Sequence, residues 1–547
     1  MSKNNRIAYL FVVLPILIYF GVVNAFAVNV FFADDFHLLK TIVWSQEANT
    51  FTEKFKLFFQ QHNEHRIIFP RLLAYTDYLI EGQINWRTLI FFGNMAWVSI
   101  LFFLWKIFRS SQINPWYFVP IPFVFLQAQY YDNLTWTLSI LQQSFIVFWA
   151  FLLIYLLSRQ HFNWALLVGV VATFTHGNGL FLFLVAFVLL FLQKKWQILG
   201  WWIFTFVVLL FIYFADYRNG QNSNVGQSLA NPIQLMSGFF AFWGSGMAVF
   251  FSSPLASVGF GILLFCLISC FVVSTCKPII KSFFNKNRPS NYRLEIPTSA
   301  LQIIGIYLFI SITAALVSLS RSWGGLQNIL MPRYEHYSPL VVCLGYLIAL
   351  NLGSVYKKII AIAFSAFAIL FWGMSYFMNI SELDLRKKTL EAESYNWQHH
   401  RLFLSYPSSF NHNIDSVYLK AEQRQICKMP TSEIELLNPK KDTTTQLKIE
   451  VLNSIEKDAA GQVNRKFVVI ENQTLVSSKY LVLSKDNLQY LVAVQNNRNS
   501  KKGFLTSLQY FRLGFKIFIL TENLPKGTYR IGIIGDDFRQ ISQQITL

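Results

Sequence analysis

The sequence predicts a polytopic α-helical membrane protein with a C-terminal, mainly β, sandwich-like domain on the extracytoplasmic side. Three observations predict it. Apolar runs of roughly 15–25 residues recur up to about residue 378, the length a membrane-crossing helix needs. The 547 residues are 54% hydrophobic and 17% aromatic, with a mean hydropathy of +0.39, more apolar than a soluble chain of this length. Beyond residue 378 the chain turns polar and carries short alternating apolar runs. This divides it into a membrane domain (1–378), a helical or irregular connector (379–460) and a β-rich domain (461–547).

The first apolar run, Ile7–Phe32, follows Lys3 and Arg6. Ala25-Phe26-Ala27 fits a small-x-small cleavage pattern, but the run continues past it, so it reads as a retained helix. Further spans are expected near 88–107, 115–130, 136–157, 162–175, 180–192, 197–216, 255–276, 299–320, 337–352 and 358–378, about eleven in all. Residues 233–252 are apolar but broken by Gly244-Ser245-Gly246 and read as re-entrant or interfacial. Cys266, Cys270, Cys276, Cys343 and Cys427 have no metal-ligand spacing and lie mostly in apolar runs, which argues against a structural disulfide.

With the N-terminus inside, charge sorts by side. The inner loops hold Lys106, Arg109, Arg159, Lys194, Lys195, Lys277, Lys281, Lys286, Arg288, Arg293, Lys357 and Lys358, with Glu295 as their one acid. The outer segments collect Asp34, Asp35, Glu47, Glu53, Glu64, Asp77, Glu81, Asp132, Asp216 and Glu335. This is the positive-inside pattern, and it makes the net charge of +18 largely topological. Nucleic-acid binding is a poor explanation, because the basic residues are scattered over loops rather than gathered on one element.

The outer face therefore carries the polar clusters. Asp34 and Asp35 follow the first apolar run; a carboxylate pair there is costly unless it has a task, and paired carboxylates suit a general base or a metal. The plainer alternative is an N-cap for the next helix. His37–Gln61 reads as amphipathic and would lie along the membrane surface. Gln61–Arg71 packs Glu64, His65, Arg66 and Arg71 into one loop. Tyr131-Asp132-Asn133 and His176-Gly177-Asn178-Gly179 mark the next outer boundaries, and Asp216-Tyr217-Arg218 opens a polar loop. Arg321 and Arg333-Tyr334 offer guanidinium groups that could clamp a phosphate, or rest on lipid headgroups.

This layout resembles the GT-C superfamily of membrane glycosyltransferases: an acidic pair after the first helix, a long outer loop with surface helices, a set of short helices and an extracytoplasmic C-terminal domain. The motifs Gln61–Arg71, Tyr131–Asn133, His176–Gly179 and Arg333-Tyr334 are also similar to a group of uncharacterised bacterial multi-spanning proteins. The resemblance covers residues 1–378. It implies a bacterial inner-membrane enzyme, with its site on the periplasmic or extracellular side. It would move a sugar from a polyprenyl-phosphate donor to a glycan, lipid or protein acceptor by a single inverting displacement. Asp34 or Asp35 would take the acceptor proton, or hold a divalent cation, Mg or Mn. Arg321 and Arg333 would bind the lipid phosphate. Glu64, His65, Arg66, Arg71, Asp132, Asn133, His176, Asn178 and Tyr334 would contact substrate.

In the C-terminal part, residues 380–403 read as helical. Alternating runs at Lys466–Ile470, Lys479–Ser484, Gln489–Gln495, Phe504–Phe511, Phe515–Leu520 and Thr528–Ile534 read as strands. Two other functions compete. A transporter or flippase for lipid-linked sugars would place polar groups at mid-membrane in matching halves, and no internal repeat is visible. A non-catalytic binder of lipid-linked glycans would need no base.

Overall fold

The computed structural model describes residues 3–218, 220, 223–284, 296–352, 356–432, 434, 439–458, 461–475, 478–535 and 537–547. Lys286, Arg288, Arg293 and Glu295 of the expected inner loop lie outside them. The chain forms two compact units. One comprises Met1–Ala25, Lys54–Leu73 and Ile90–Met378; the other comprises Phe26–Glu53, Ala74–Leu89 and Asn379–Leu547.

The first unit is helical. Among the described residues, seven helices are long and apolar enough to cross a membrane: Arg6–Phe26, Trp86–Arg109, Thr137–Ser158, Trp196–Phe214, Pro254–Lys281, Thr298–Gly324 and the apolar part of Lys357–His400. That is the property of a membrane protein. The other four expected spans are shorter: Pro115–Phe125, Phe162–Thr173, Gly177–Leu192 and Tyr337–Leu352. A polar side chain inside such a helix needs partners within the protein, and Asn94 has them. Asn94 accepts from the Tyr19 hydroxyl (2.6 Å) and donates to the carbonyls of Ile90 and Leu134.

The apolar stretch at 233–252 is a 13-residue helix, Pro232–Gly244, followed by the 3-10 turn Ser245–Val249. It packs against Pro254–Phe284 backbone to backbone. A Cβ on Gly261 would stand 1.8 Å from the Phe240 carbonyl oxygen, so only glycine permits this approach.

The second unit contains the segment with the acidic pair. The first helix ends at Phe26 rather than Phe32. The chain then extends, and Asn29 Oδ1 accepts the Trp86 N–H (2.8 Å). The expected amphipathic stretch is two helices, Phe36–Glu47 and Phe51–Phe59. The break is a capping box: Glu53 N–H donates to Thr50 Oγ1, and Glu53 Oε2 accepts the Thr50 N–H, both at 3.2 Å. Phe36–Glu47 buries seven residues and is a packed helix rather than a surface one. Phe51–Phe59 buries none and leaves Phe51 82% exposed.

Helix Lys357–His400 runs 44 residues without a break, and its C-terminal part leads into the β-rich region. Two sheets follow, and we number their strands after the short hairpin β1 (Gln61–His62) and β2 (His65–Arg66) of the first unit. They are β3 (Lys440–Asp442), β4 (Lys448–Asp458), β5 (Gly461–Asn472), β6 (Tyr480–Lys485), β7 (Leu488–Ala493), β8 (Gln495–Arg498), β9 (Phe511–Leu520), β10 (Thr528–Ile534) and β11 (Phe538–Thr546). One sheet has the order β3-β11-β10-β6-β7, the other β4-β5-β9-β8. Val468, Ile470, Phe515, Ile517 and Ile519 of one share a core with Leu481, Leu483, Tyr529, Ile531 and Ile541 of the other. Two expectations change here. The first half of the run Phe504–Phe511 belongs to a helix, Lys501–Ser507, whose N-terminus Ser500 Oγ caps by accepting the Gly503 N–H (3.0 Å). Strands β3 and β4 occupy what reads as connector, their apolar positions being too few to show alternation.

Asp77 is 7% exposed, and its Oδ2 accepts the Asn85 N–H (2.7 Å). Burial pushes its carboxyl up to about 6, against the pull of the Asn85 amide and with help from Glu81. A carboxyl raised by folding stabilises the fold fully below its unfolded pKa of about 4, and that contribution is lost as pH rises through about 6. Asp77→Asn should therefore raise the melting temperature relative to wild type more at pH 8 than at pH 5, as thermal unfolding at the two pH values will show.

Candidate functional site

In the first unit, strands β1 and β2 form a hairpin with Gln61 opposite Arg66 and His62 opposite His65. Asn63 and Glu64 are its two-residue turn, and Asn63 adopts the left-handed φ of +49° that such turns require. The hairpin is tied down at both ends. The Gln61 side chain pairs with the Arg218 backbone, accepting its N–H (2.9 Å) and donating to its carbonyl (2.6 Å). Arg66 donates to the carbonyls of Tyr213, Ala215 and Phe59. Arg71 donates to those of Phe58 (2.8 Å) and Gln60. These are the open carbonyl ends of the helices Trp196–Phe214 and Phe51–Phe59. Both arginines are buried, and burial lowers Arg71 to about 10. Their guanidinium groups thus serve helix ends rather than an open surface.

The anchored hairpin presents Glu64 and His65 to a cavity of about 260 Å³. His176, Asn178, Arg321 and Tyr334 also line it. Its other walls are largely apolar: Leu180, Phe181, Phe214, Leu316 and Val317. The His65 and His176 rings lie 4.2 Å apart. Gly177 makes this possible, since a Cβ there would stand 2.4 Å from His65 Nδ1.

The Asn178 amide orients His176. Its Nδ2 donates to Thr313 Oγ1 (3.1 Å) and lies 3.4 Å from the Tyr337 oxygen. Its Oδ1 is left to accept from His176 Nδ1 at 2.7 Å. His176 Nε2 then carries the lone pair and faces Gln143 Nε2 at 3.3 Å. Burial first, and then Arg321 and Arg333, lower His176 to about 4, against the pull of Asn178. Burial, His176 and Arg321 also hold His65 well below its ordinary value. Both rings are neutral at physiological pH.

The Arg321 guanidinium is 3.6 Å from Glu64 Oε2. Burial alone would raise the Tyr334 phenol, but the positive charges of Arg333 and Arg321, and then hydrogen bonds with them, outweigh it and bring it below its ordinary value. Arg333 lies over the Tyr334 ring (5.3 Å), reaches Met331 Sδ (3.1 Å) and does not line the cavity. Among the described residues, Glu64 Oε1 and His65 Nδ1 are buried without a hydrogen-bond partner.

The other expected site residues are elsewhere. Asn133 Nδ2 donates to the Arg333 carbonyl (3.0 Å), and its Oδ1 accepts from Ser139 (2.7 Å), so it braces the Arg333 turn. Asp132 opens the short helix Asp132–Thr135. Asp34 and Asp35 belong to the second unit. Asp35 is 1% exposed, and its Oδ2 accepts the Phe32 N–H (2.9 Å); Asp34 is half-buried. Ala33 between Phe32 and Asp34 has a φ of +46°, and its N–H donates to the Tyr406 hydroxyl (3.0 Å). Sequence reasoning missed Gln143, Thr313 and Tyr337. Gln143 and Thr313 are polar residues inside apolar helices, and that is the signal that marks them.

A resident divalent cation needs more than two carboxylates from the protein, or substrate oxygens to complete its shell. Among the described residues no group of three or more His, Cys, Asp or Glu is placed to hold a metal ion, so Asp34 and Asp35 do not form a protein-only site. Compared with protein-family models, with curated proteins and with solved structures, the chain matches none.

Gly177→Ala drives a methyl group into the His65 ring. It should destabilise the protein by about 1–3 kcal/mol, the range for overpacking. Thermal unfolding of the detergent-solubilised protein measures this; an unchanged melting temperature would contradict the packing described.

Proposed function

We propose that this protein is a membrane glycosyltransferase that moves a sugar from a polyprenyl-phosphate donor to an extracytoplasmic acceptor. One observation carries the reading. The cavity of the helical unit joins a polar end, with Arg321, Tyr334 and two neutral histidines, to an apolar wall. An amphiphile with an anionic head fits such a cavity: guanidinium binds phosphate, and Leu316, Val317 and Phe181 suit hydrocarbon. The four short helices, read as incomplete crossings, bring the span count to about eleven in a GT-C-like arrangement.

The chemistry follows from what the transfer needs. The acceptor hydroxyl must lose a proton as its oxygen attacks C1 of the sugar. The departing phosphate gains charge, which fixed donors stabilise. Arg321 meets that need, and Tyr334 and Arg333 hold it in place. Asn178 and Gln143 engage both ring nitrogens of His176 and so fix its orientation in the cavity wall. By resemblance, the proton would go to Asp34 or Asp35. The site would face the outside of a bacterial inner membrane, with the β-rich domain on the same side.

A strain lacking the protein should lose one sugar from its surface glycan and accumulate the corresponding lipid-linked donor. Wild type should restore the sugar. Arg321→Gln should transfer it about 10²–10³-fold more slowly, the cost of removing one such donor. Mass spectrometry of surface glycans and lipid-linked sugars reads both. Full restoration by Arg321→Gln would favour a transporter or a non-catalytic binder of lipid-linked glycans.

A further inference from the structure

We propose that Glu64, at the tip of the β1–β2 hairpin, is the base that takes the acceptor proton, with His65 beside it as the second ligand of the acceptor hydroxyl. This rests on the transferase reading and assigns within it the proton that resemblance gives to the aspartate pair.

Three observations point to Glu64. Its Oε1 is buried at the cavity with no hydrogen-bond partner among the described residues. A buried acceptor left without a donor is costly, and a hydroxyl entering the cavity supplies that donor. Its other oxygen, Oε2, stands 3.6 Å from Arg321. Arg321 thus takes Oε2 as its partner, and Oε1 is the oxygen without one among the described residues. Third, the neighbouring His65 Nδ1 is also buried without a partner in the same cavity. A carboxylate can only accept, whereas a neutral imidazole can donate from Nδ1. One hydroxyl satisfies both: its hydrogen goes to Glu64 and its oxygen accepts from His65. An alkyl chain satisfies neither, and a phosphate is repelled by the carboxylate.

The position is held rigidly. Glu64 sits in a two-residue turn, and both strands of the hairpin are anchored, by Gln61 and by Arg66. A general base works by position, so anchoring matters more than unusual basicity. In the transfer, the acceptor O–H bond breaks and its proton passes to Glu64 Oε1. The hydroxyl oxygen forms a bond to sugar C1. The bond from C1 to the phosphate oxygen breaks, and its electron pair leaves with the phosphate. Glu64 ends as a carboxylic acid, and Arg321 exchanges its carboxylate partner for the departing phosphate.

The experiment complements the deletion strain with Glu64→Gln, Glu64→Asp and Asp34→Asn, each normalised to folded protein by size-exclusion chromatography. Glu64→Gln keeps the size of the side chain and removes the base. It should slow transfer by about 10²–10⁴-fold, the usual contribution of a general base. Glu64→Asp, which keeps a carboxylate, should recover part of that loss, a rescue that a purely structural role would not give. Asp34→Asn tests the competing base and should lose less than Glu64→Gln does. Transfer by Glu64→Gln within threefold of wild type overturns the inference, as does a Glu64→Asp variant no better than Glu64→Gln. Loss with Asp34→Asn alone returns the base to the aspartate and leaves the transferase reading standing. A deletion strain with unchanged glycans overturns that reading itself.

Discussion

The last carbonyls of a helix have no partner within it, and Arg66 and Arg71 supply donors to two such ends. Together they close the C-terminal carbonyls of two helices of the first unit. Burying a guanidinium is expensive unless its N–H groups find acceptors, and here the negative ends of helix dipoles accept from Arg66 and from Arg71 Nη1, while Arg71 Nε is buried without a partner among the described residues. The hairpin that ends at Arg66 is thereby held. Glu64 and His65 owe their direction to it, and the contacts to Arg321 and His176 follow. Arg66 and Arg71, which read as substrate contacts in the chain, give N–H groups to backbone carbonyls.

The cavity is polar at one end without carrying much net charge. His65 and His176 are neutral because burial disfavours their charged forms. Arg321 and Glu64 balance one another. A ligand must therefore offer groups that exchange with existing contacts. In the proposed transfer, a hydroxyl would answer the unpartnered atoms of Glu64 and His65, and an anion would replace Glu64 as the partner of Arg321. Tyr334 keeps the guanidinium groups in reach by hydrogen-bonding them. Two kinds of ligand group thus have distinct receivers within one small space.

The second unit treats its acidic pair differently. Asp35 is used locally: its carboxylate accepts the Phe32 amide, and the turn it closes forces Ala33 into left-handed backbone. A non-glycine residue in that region carries a cost of about 1 kcal/mol, which the Tyr406 hydrogen bond and the packing of Phe31 against Phe403 and Tyr418 offset. An adjacent pair that reads as one functional unit is two residues with different surroundings.

Hydrophobic length is a local property, so the sequence by itself determined the long apolar helices, the change of character near residue 378 and the β-rich C-terminal region. The capping box at Thr50 and Glu53 is equally local. The four short helices were harder to grade, because an apolar run does not reveal where its hydrogen-bonded ladder stops. For the site, the chain marked Glu64, His65, His176, Asn178, Arg321 and Tyr334, all of which line one cavity. It could not separate them from Arg66, Arg71 and Asn133, whose side chains meet backbone carbonyls far away in sequence. Nor could it show that Gln143 and Thr313 belong to the site, or that Asp35 is spent on a neighbouring amide. Residue type is set by the chain, but whether a polar group is satisfied depends on partners that only the folded chain brings within about 3 Å.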